Sequence, residues 1–360
     1  MTGRHLPLSC SDRLTAWLTE SWQRKPLNGL KPLGALYGLA AGLRRRYYST
    51  FKSVSRAQAP VISLGNLTVG GSGKTPMCLA LAGLLLERGF KPAIISRGYG
   101  RKAGQNVLPL VVCRGRGPET SPAESGDEPW LMASKLPQAL VVVDSDRVRA
   151  AALAVLDLKA DILILDDGFQ QMALAADCRI LLIPNQQPFG NGAILPAGPL
   201  REPVSAHRLA DILVTTGAAK PSQTAYQLAG SRPVYAAAYE PLGWRTLGRP
   251  EIDPPEVLTG RRVLAFCGLG RPESFLKSLN QLGLEVRRFI ALRDHRPYDR
   301  RVLDGLGLEF LESGAELLVT TAKDAVKLPP DFSLPVKYLD MSMKINQPDE
   351  FRDAVLRALK

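Results

Sequence analysis

The segment 61–76 constrains this chain more than any other stretch. An aliphatic run, Val61–Leu64, leads into Gly65-Asn66-Leu67-Thr68-Val69-Gly70-Gly71-Ser72-Gly73-Lys74-Thr75-Pro76. A helical pattern follows at Thr75–Arg88, with Leu79, Leu81, Leu84 and Leu85 at helical spacing. Strand, glycine-rich loop and helix in that order form a phosphate cradle. Glycines let backbone N–H groups curl round phosphate oxygens, and the helix N-terminus adds its dipole. Thr68, Val69, Gly70, Gly71, Ser72, Gly73, Lys74 and Thr75 then hold a nucleoside triphosphate. Lys74 bridges the β- and γ-phosphates, and Thr75 ligates Mg²⁺. The strict spacing asks for glycine at 68, where this chain has Thr68. The competing reading is a glycine-rich turn beside an exposed lysine.

A second signal sits about ninety residues on. Ile162-Leu163-Ile164-Leu165 is an apolar run ending in Asp166-Asp167-Gly168. A buried parallel strand delivers its C-terminal acids to the crevice where ligands bind, so Asp166 and Asp167 are candidate Mg²⁺ ligands. Alone, such a run also fits acids capping the next helix; the phosphate loop gives it meaning.

The same alternation runs through most of the chain. Pro92–Ser96, Leu108–Cys113, Leu140–Val143, Ile180–Ile183 and Ile212–Thr215 read as buried strands, with helices at Pro129–Lys135 and Arg147–Leu156 between them. Val263–Cys267, Glu285–Phe289 and Leu317–Thr320, with a helix at Ser274–Leu282, form a second such series. The fold class is therefore α/β, a P-loop NTPase-type, mostly parallel sheet with helices on both faces and a second, smaller α/β lobe. Val234–Tyr239 and Trp244–Leu247 read as two short strands around a turn at Glu240–Gly243, a hairpin linker. The expected division is 1–50, 51–228, 229–255 as the linker, and 256–360.

Net charge is +12, and its placement matters more than its size. Residues 1–60 hold ten Lys/Arg against two acids, a net +8 that leaves +4 for the other 300 residues. That concentration suits an anionic surface, a lipid leaflet or nucleic acid. Leu33–Leu43 is uncharged and closes on Arg44-Arg45-Arg46. It is shorter than the roughly 20 apolar residues a spanning helix needs. It reads as a helix lying in a membrane interface, or equally as an amphipathic helix docked on the core. Five scattered cysteines without a C-x-x-C pair indicate neither a disulfide framework nor a zinc site. No cleavable leader is evident.

Longer motifs carry a resemblance. The phosphate loop, Arg97-Gly98-Tyr99-Gly100-Arg101, Gly126-Asp127-Glu128-Pro129, Asp146-Arg147, Asp166-Asp167-Gly168-Phe169-Gln170, Phe189-Gly190-Asn191-Gly192, Leu195–Pro203 and Asp294-His295 occur in one order over roughly residues 25–330. In these the chain resembles the tetraacyldisaccharide 4′-kinase family of lipid A biosynthesis. The resemblance implies transfer of the ATP γ-phosphate to the 4′-hydroxyl of a tetraacylated disaccharide 1-phosphate, giving lipid IVA. It implies two lobes joined by a two-stranded linker, a need for Mg²⁺, and work on the cytoplasmic face of the Gram-negative inner membrane. It implies no nucleic acid and no obligate protein partner. Asp127, paired with His295, would be the base beside Lys74, and Arg147, Arg201 and Asn191 would contact the acceptor. Gln171, Arg296 and Ala322 depart from the family pattern, which often has histidine, histidine and glutamate there.

Two other classes compete. A P-loop GTPase or metallochaperone would need an Asn/Thr-Lys-x-Asp guanine reader, but Lys323 and Asp324 are adjacent. A nucleic-acid-dependent ATPase would explain the basic N-terminus, yet Arg44–Tyr48 is the one basic stretch interleaved with aromatics.

Overall fold

A computed structural model describes residues 22, 27–50, 54–99, 101, 108–249, 251–294, 296–329 and 331–359. The chain divides into two compact units. Among the described residues, one comprises those of 19–239 and 343–359; the other comprises those of 240–342.

The first unit opens with helix α1, Lys31–Thr50. Strand β1, Val61–Gly65, is buried at all five positions, as a parallel strand covered on both faces should be. Helix α2, Lys74–Leu86, buries Met77, Cys78, Leu81, Ala82 and Leu85, the i, i+4 stripe of a core-facing helix. Then come β2 (Pro92–Ser96), β3 (Leu110–Arg114), α3 (Asp127–Lys135), β4 (Leu140–Val143), α4 (Arg147–Leu156), β5 (Ile162–Leu165), β6 (Cys178–Pro184), β7 (Ile212–Thr216) and α5 (Gln223–Ala229). Strand β8 spans Val234–Thr246. Within this unit the strand order is β8-β7-β6-β1-β5-β2-β4-β3. Every pair is parallel except β3 with β4. Residues alternate between faces. Ile62 and Leu64 therefore join the core under α2, while Val61, Leu163 and Leu165 join a second core under α4.

The second unit is smaller. It contains β9 (Ile252–Asp253), β10 (Arg262–Cys267), α6 (Pro272–Gln281), β11 (Glu285–Ala291), α7 (Arg300–Ser313), β12 (Leu317–Thr321) and most of β13 (Val336–Ile345). Its strands β11-β10-β12-β13 run parallel. Trp244, fully buried, sits in its core with Leu258, Val263 and Phe275.

One expectation is corrected here. The turn expected at Glu240–Gly243 lies inside one 13-residue strand, and the antiparallel partner is β9, with Trp244 opposite Asp253. Gly243 is needed for that approach, because a Cβ there would stand 2.2 Å from Asp253 O. The chain crosses between the units within β8 and again within β13. The final residues, with helix α8 (Pro348–Ala358), then return to the phosphate-loop unit. The apolar segment expected at Leu33–Leu43 is part of a 20-residue helix running through Arg44-Arg45-Arg46. No helix among the described residues is long and apolar enough to cross a membrane.

Candidate active site

The site forms where β1 and β5 end side by side. Their register pairs Val61 with Leu163, Ile62 with Ile164 and Ser63 with Leu165, so the phosphate loop and the two acids emerge together. The contact is close. A Cβ on Gly65 would lie 2.7 Å from Phe169 Cβ, and one on Gly168 2.8 Å from Ser63 Oγ. Both glycines are there because nothing larger fits.

The loop itself is held from two sides. Thr68 is buried, accepts a hydrogen bond from Asn66 Nδ2 at 3.1 Å, and bridges antiparallel to Leu200. Its backbone is extended there, so the glycine that the strict spacing requires at 68 has no task. Val69 N donates to Pro199 O at 2.9 Å. Beyond it the chain turns through Gly70 (φ 100°) and Gly73 (φ 81°), and no atom lies within 4 Å of an added Cβ at Gly70 or Gly71. Ser72 is buried, and its carbonyl accepts from Thr216 Oγ1 at 3.0 Å. Helix α2 starts after Gly73 with no side-chain cap, which leaves its first N–H groups and positive dipole end to an anion. Thr75 stands in this first turn. Lys74 Nζ lies 3.3 Å from Asn66 Oδ1 and 3.6 Å from Asp167 Oδ1.

The two acids are different. Asp166 is 5% exposed; Ser96 Oγ donates to its Oδ2 at 3.1 Å, and Cys78 Sγ lies 3.7 Å from its Oδ1. Burial, then Glu128, then Asp167 push its pKa up to about 6, against Lys74 and the Ser96 bond. Burial, with Asp166 beside it, pushes the Cys78 thiol up, so it remains a donor. Asp167 adopts a left-handed backbone (φ 52°), which aspartate tolerates better than most residues. Burial would raise its pKa too, but Lys74 and Arg201 hold it below the ordinary carboxylate value. Arg201 Nη1 donates to Asp167 Oδ2 at 2.8 Å, while Oδ1 is buried with no hydrogen bond.

That oxygen, which faces Lys74 at 3.6 Å, the neighbouring Asp166 carboxylate and the Thr75 hydroxyl are hard oxygen donors suited to Mg²⁺. Among the described residues no cluster of three or more His, Cys, Asp or Glu is placed to hold a metal. A cation shared between one or two acids, Thr75 and phosphate oxygens requires no such cluster.

The other candidates divide. Asp127 and Glu128 open α3 after Gly126, and Glu128 is close enough to Asp166 to raise its pKa. Gly126 (φ 94°) allows this corner to close, since a Cβ there would meet Tyr99 O at 2.6 Å. Arg147 is buried rather than a surface arginine, with Nη1 donating to Asp144 O. Burial pushes its guanidinium pKa down, and Asp166 and Asp167 are near enough to push it back. Asn191 spends its amide on its own loop, donating to Ala197 O at 3.2 Å and accepting from Ala193 N at 3.0 Å. His295 lies outside the described residues, in the sequence of the second unit. Sequence reasoning missed Asn66, Ser96, Cys78, Glu128 and Gln170. Gln170 Nε2 donates to Asn66 O at 2.9 Å, tying the two motifs together. Asn66, Glu128 and Gln170 lie inside motifs already marked; Cys78 and Ser96 carry no sequence signal.

A parallel sheet with a glycine loop, an uncapped helix, a lysine and paired acids at one crevice defines a P-loop phosphotransferase. Residues 27–360 match the family model described as tetraacyldisaccharide-1-P 4′-kinase. A tetraacyldisaccharide 4′-kinase of Syntrophus aciditrophicus is 38% identical over 350 residues, covering 92% of each chain. One of Pelobacter propionicus is 41% identical over 306 residues, covering 85% of this chain and 84% of that one. The crystal structure of LpxK from Aquifex aeolicus in complex with ATP superposes with a TM-score of 0.74 at 33% identity, covering 92% of this chain and 99% of that one. The chain belongs to the tetraacyldisaccharide-1-phosphate 4′-kinase family.

Proposed function

We propose that this chain transfers the γ-phosphate of ATP to the 4′-hydroxyl of tetraacyldisaccharide 1-phosphate, a lipid A precursor, to form lipid IVA. The single observation that carries the reading is the pairing of β1 with β5, which sets Lys74 3.6 Å from Asp167 Oδ1 beside the uncapped start of α2. Phosphoryl transfer is mostly positioning and charge stabilisation. The backbone of 68–75 and Lys74 hold the phosphates. Thr75, Asp166 and Asp167 would hold Mg²⁺, which supplies charge neutralisation on the phosphate oxygens when bound. Arg201 and buried Arg147 offer guanidinium groups to the acceptor's 1-phosphate or to the charge in transit. Asn191 shapes the loop that carries Arg201.

Asp127 is assigned the base. It stands in the first turn of α3 next to Glu128, whose charge raises the Asp166 pKa. A carboxylate there accepts the proton of the attacking hydroxyl. His295 is assigned to assist it on family resemblance alone.

The acceptor is a lipid, and α1 has the surface to meet a bilayer. Leu33, Leu36, Leu39, Leu43 and Tyr47 are each more than half exposed on this helix, beside Lys31, Arg44 and Arg46. Exposed apolar side chains with flanking cations are how a helix settles at an anionic interface. A cavity of about 210 Å³ between α1 and 193–197 is lined by Lys31, Gly34, Ala35, Ala193, Ile194 and Ala197. We assign the cytoplasmic face of the Gram-negative inner membrane, reached peripherally, with neither nucleic acid nor an obligate protein partner.

Asp127→Ala tests the assignment. It should lower kcat by about 10²–10⁴-fold, the range of general-base catalysis, with ATP affinity within a few-fold of the parent. Unchanged kcat removes Asp127 as the base.

A further inference from the structure

Residues 199–202 are bonded to the phosphate loop on one side and to α1 on the other. Towards the loop, Val69 N donates to Pro199 O at 2.9 Å, Arg201 N donates to Leu67 O at 2.8 Å, and Leu200 bridges Thr68. Arg201 reaches into the site and meets Asp167 at 2.8 Å, while its neighbour Glu202 turns towards α1. There Arg45 Nη2 donates to both Glu202 carboxylate oxygens, each at 2.7 Å. Glu202 is 4% exposed. Helix α1 is also seated close to the start of this loop. A Cβ on Gly34 would lie 2.9 Å from Ile194 O, and one on Gly38 2.9 Å from Ile194 Cδ1. Leu27 N adds a bond to Ala197 O at 3.3 Å.

We propose that Arg45 is a positioning residue for phosphoryl transfer. Through Glu202 it fixes the 199–202 strip and so aims Arg201 at Asp167, coupling helix α1 to the acid pair. The physical reason is the buried carboxylate. A carboxylate almost without solvent is held in place by its partner, and without Arg45 it turns outward. Glu202 is the next residue to Arg201, so the guanidinium moves with it. Displacements of about 1 Å at a catalytic centre cost about 10²-fold. Arg45 thereby differs from Arg44 and Arg46, which flank it on the exposed helix. This inference rests on the assignment of Arg201 and Asp167 to the phosphoryl site.

The test is a double-mutant cycle on the full chain, with lipid acceptor dispersed in detergent, measuring kcat and KM for ATP. Arg45→Ala should lower kcat by about 10–100-fold, the usual range for a group that orients a catalytic residue, and change the KM for ATP by less than about 3-fold. Arg201→Ala should lower kcat at least as far. In the double variant the Arg45 effect should vanish, because both substitutions break one path. Independent, multiplying losses would overturn the proposal. If Arg201→Ala keeps parental kcat, the site assignment itself fails. Arg45→Lys, which conserves charge and folding, should show a smaller loss that also disappears in the Arg201→Ala background. Co-sedimentation with phosphatidylglycerol-containing vesicles should be the same for Arg45→Ala as for the parent. A kcat loss that instead tracks lost vesicle binding would make Arg45 a membrane contact and refute the relay.

Discussion

Asparagine substitutions at the two neighbouring acids should move stability in opposite directions. Burial and the neighbours Glu128 and Asp167 raise the Asp166 pKa from 3.8 to about 6. That difference is worth about 3 kcal/mol at 1.36 kcal/mol for each pH unit. The sign follows from proton binding. Between pH 4 and 6 the folded chain holds this proton and the unfolded chain has released it, so folding stability falls as pH rises through that window. At pH 7.5 without divalent cation the folded protein therefore carries the whole penalty. Asp166→Asn removes the charge while keeping an acceptor for Ser96 Oγ. It should stabilise the cation-free protein by up to about 3 kcal/mol, a rise of up to about 6–12 °C in the melting midpoint for a unit of this size. Asp167 is the reverse case: Lys74 and Arg201 hold its pKa down, a contribution present at neutral pH and lost as the solution is acidified. Asp167→Asn should lower the midpoint, leaving Lys74 and Arg201 without their counter-charge. The assay is thermal unfolding in EDTA at pH 7.5 and pH 4.5. The Asp166→Asn gain should shrink at the lower pH. A midpoint that falls in both variants, or a gain independent of pH, would refute the electrostatic account of the pair.

Lys74→Ala should cost about 10²–10³-fold or more in kcat, the scale of one lost charge-stabilising group, with the melting midpoint retained; steady-state kinetics and a melt decide it. Gly65→Ala places a methyl 2.7 Å from Phe169 Cβ and should destabilise by about 1–3 kcal/mol in urea unfolding while also impairing turnover. Leu36→Asp with Leu39→Asp removes two exposed apolar contacts of α1, each worth about 1.5–3 kcal/mol when buried in lipid, and should reduce vesicle co-sedimentation at least 10-fold.

Much of this was legible before any coordinates. Strands β2, β4 and β5 and helix α4 have the residue limits their apolar runs suggest, because parallel strands buried on both faces are written as continuous aliphatic stretches. The phosphate loop and Asp166-Asp167 were legible because their chemistry dictates glycines and terminal acids. Proline and glycine misled at Glu240–Gly243. Pro241 and Gly243 are turn signals locally, yet the glycine serves a close strand crossing that only the partner strand reveals. Gly34 and Gly38 gave no sign of their task, which is to seat α1 against Ile194. The Arg45–Glu202 pair, 157 residues apart, and the donors Ser96 and Cys78 around Asp166 belong to tertiary structure, and no spacing rule announces them.

The central claim is that the crevice between β1 and β5 moves a phosphoryl group from ATP onto a lipid sugar. Incubating the purified chain with γ-labelled ATP, Mg²⁺ and tetraacyldisaccharide 1-phosphate, then locating the label by mass spectrometry and phosphorus NMR, tests it directly. The account predicts a bisphosphorylated lipid with the new phosphate on the 4′-oxygen. Release of inorganic phosphate alone, or turnover that requires GTP or nucleic acid and leaves the lipid unchanged, would contradict it.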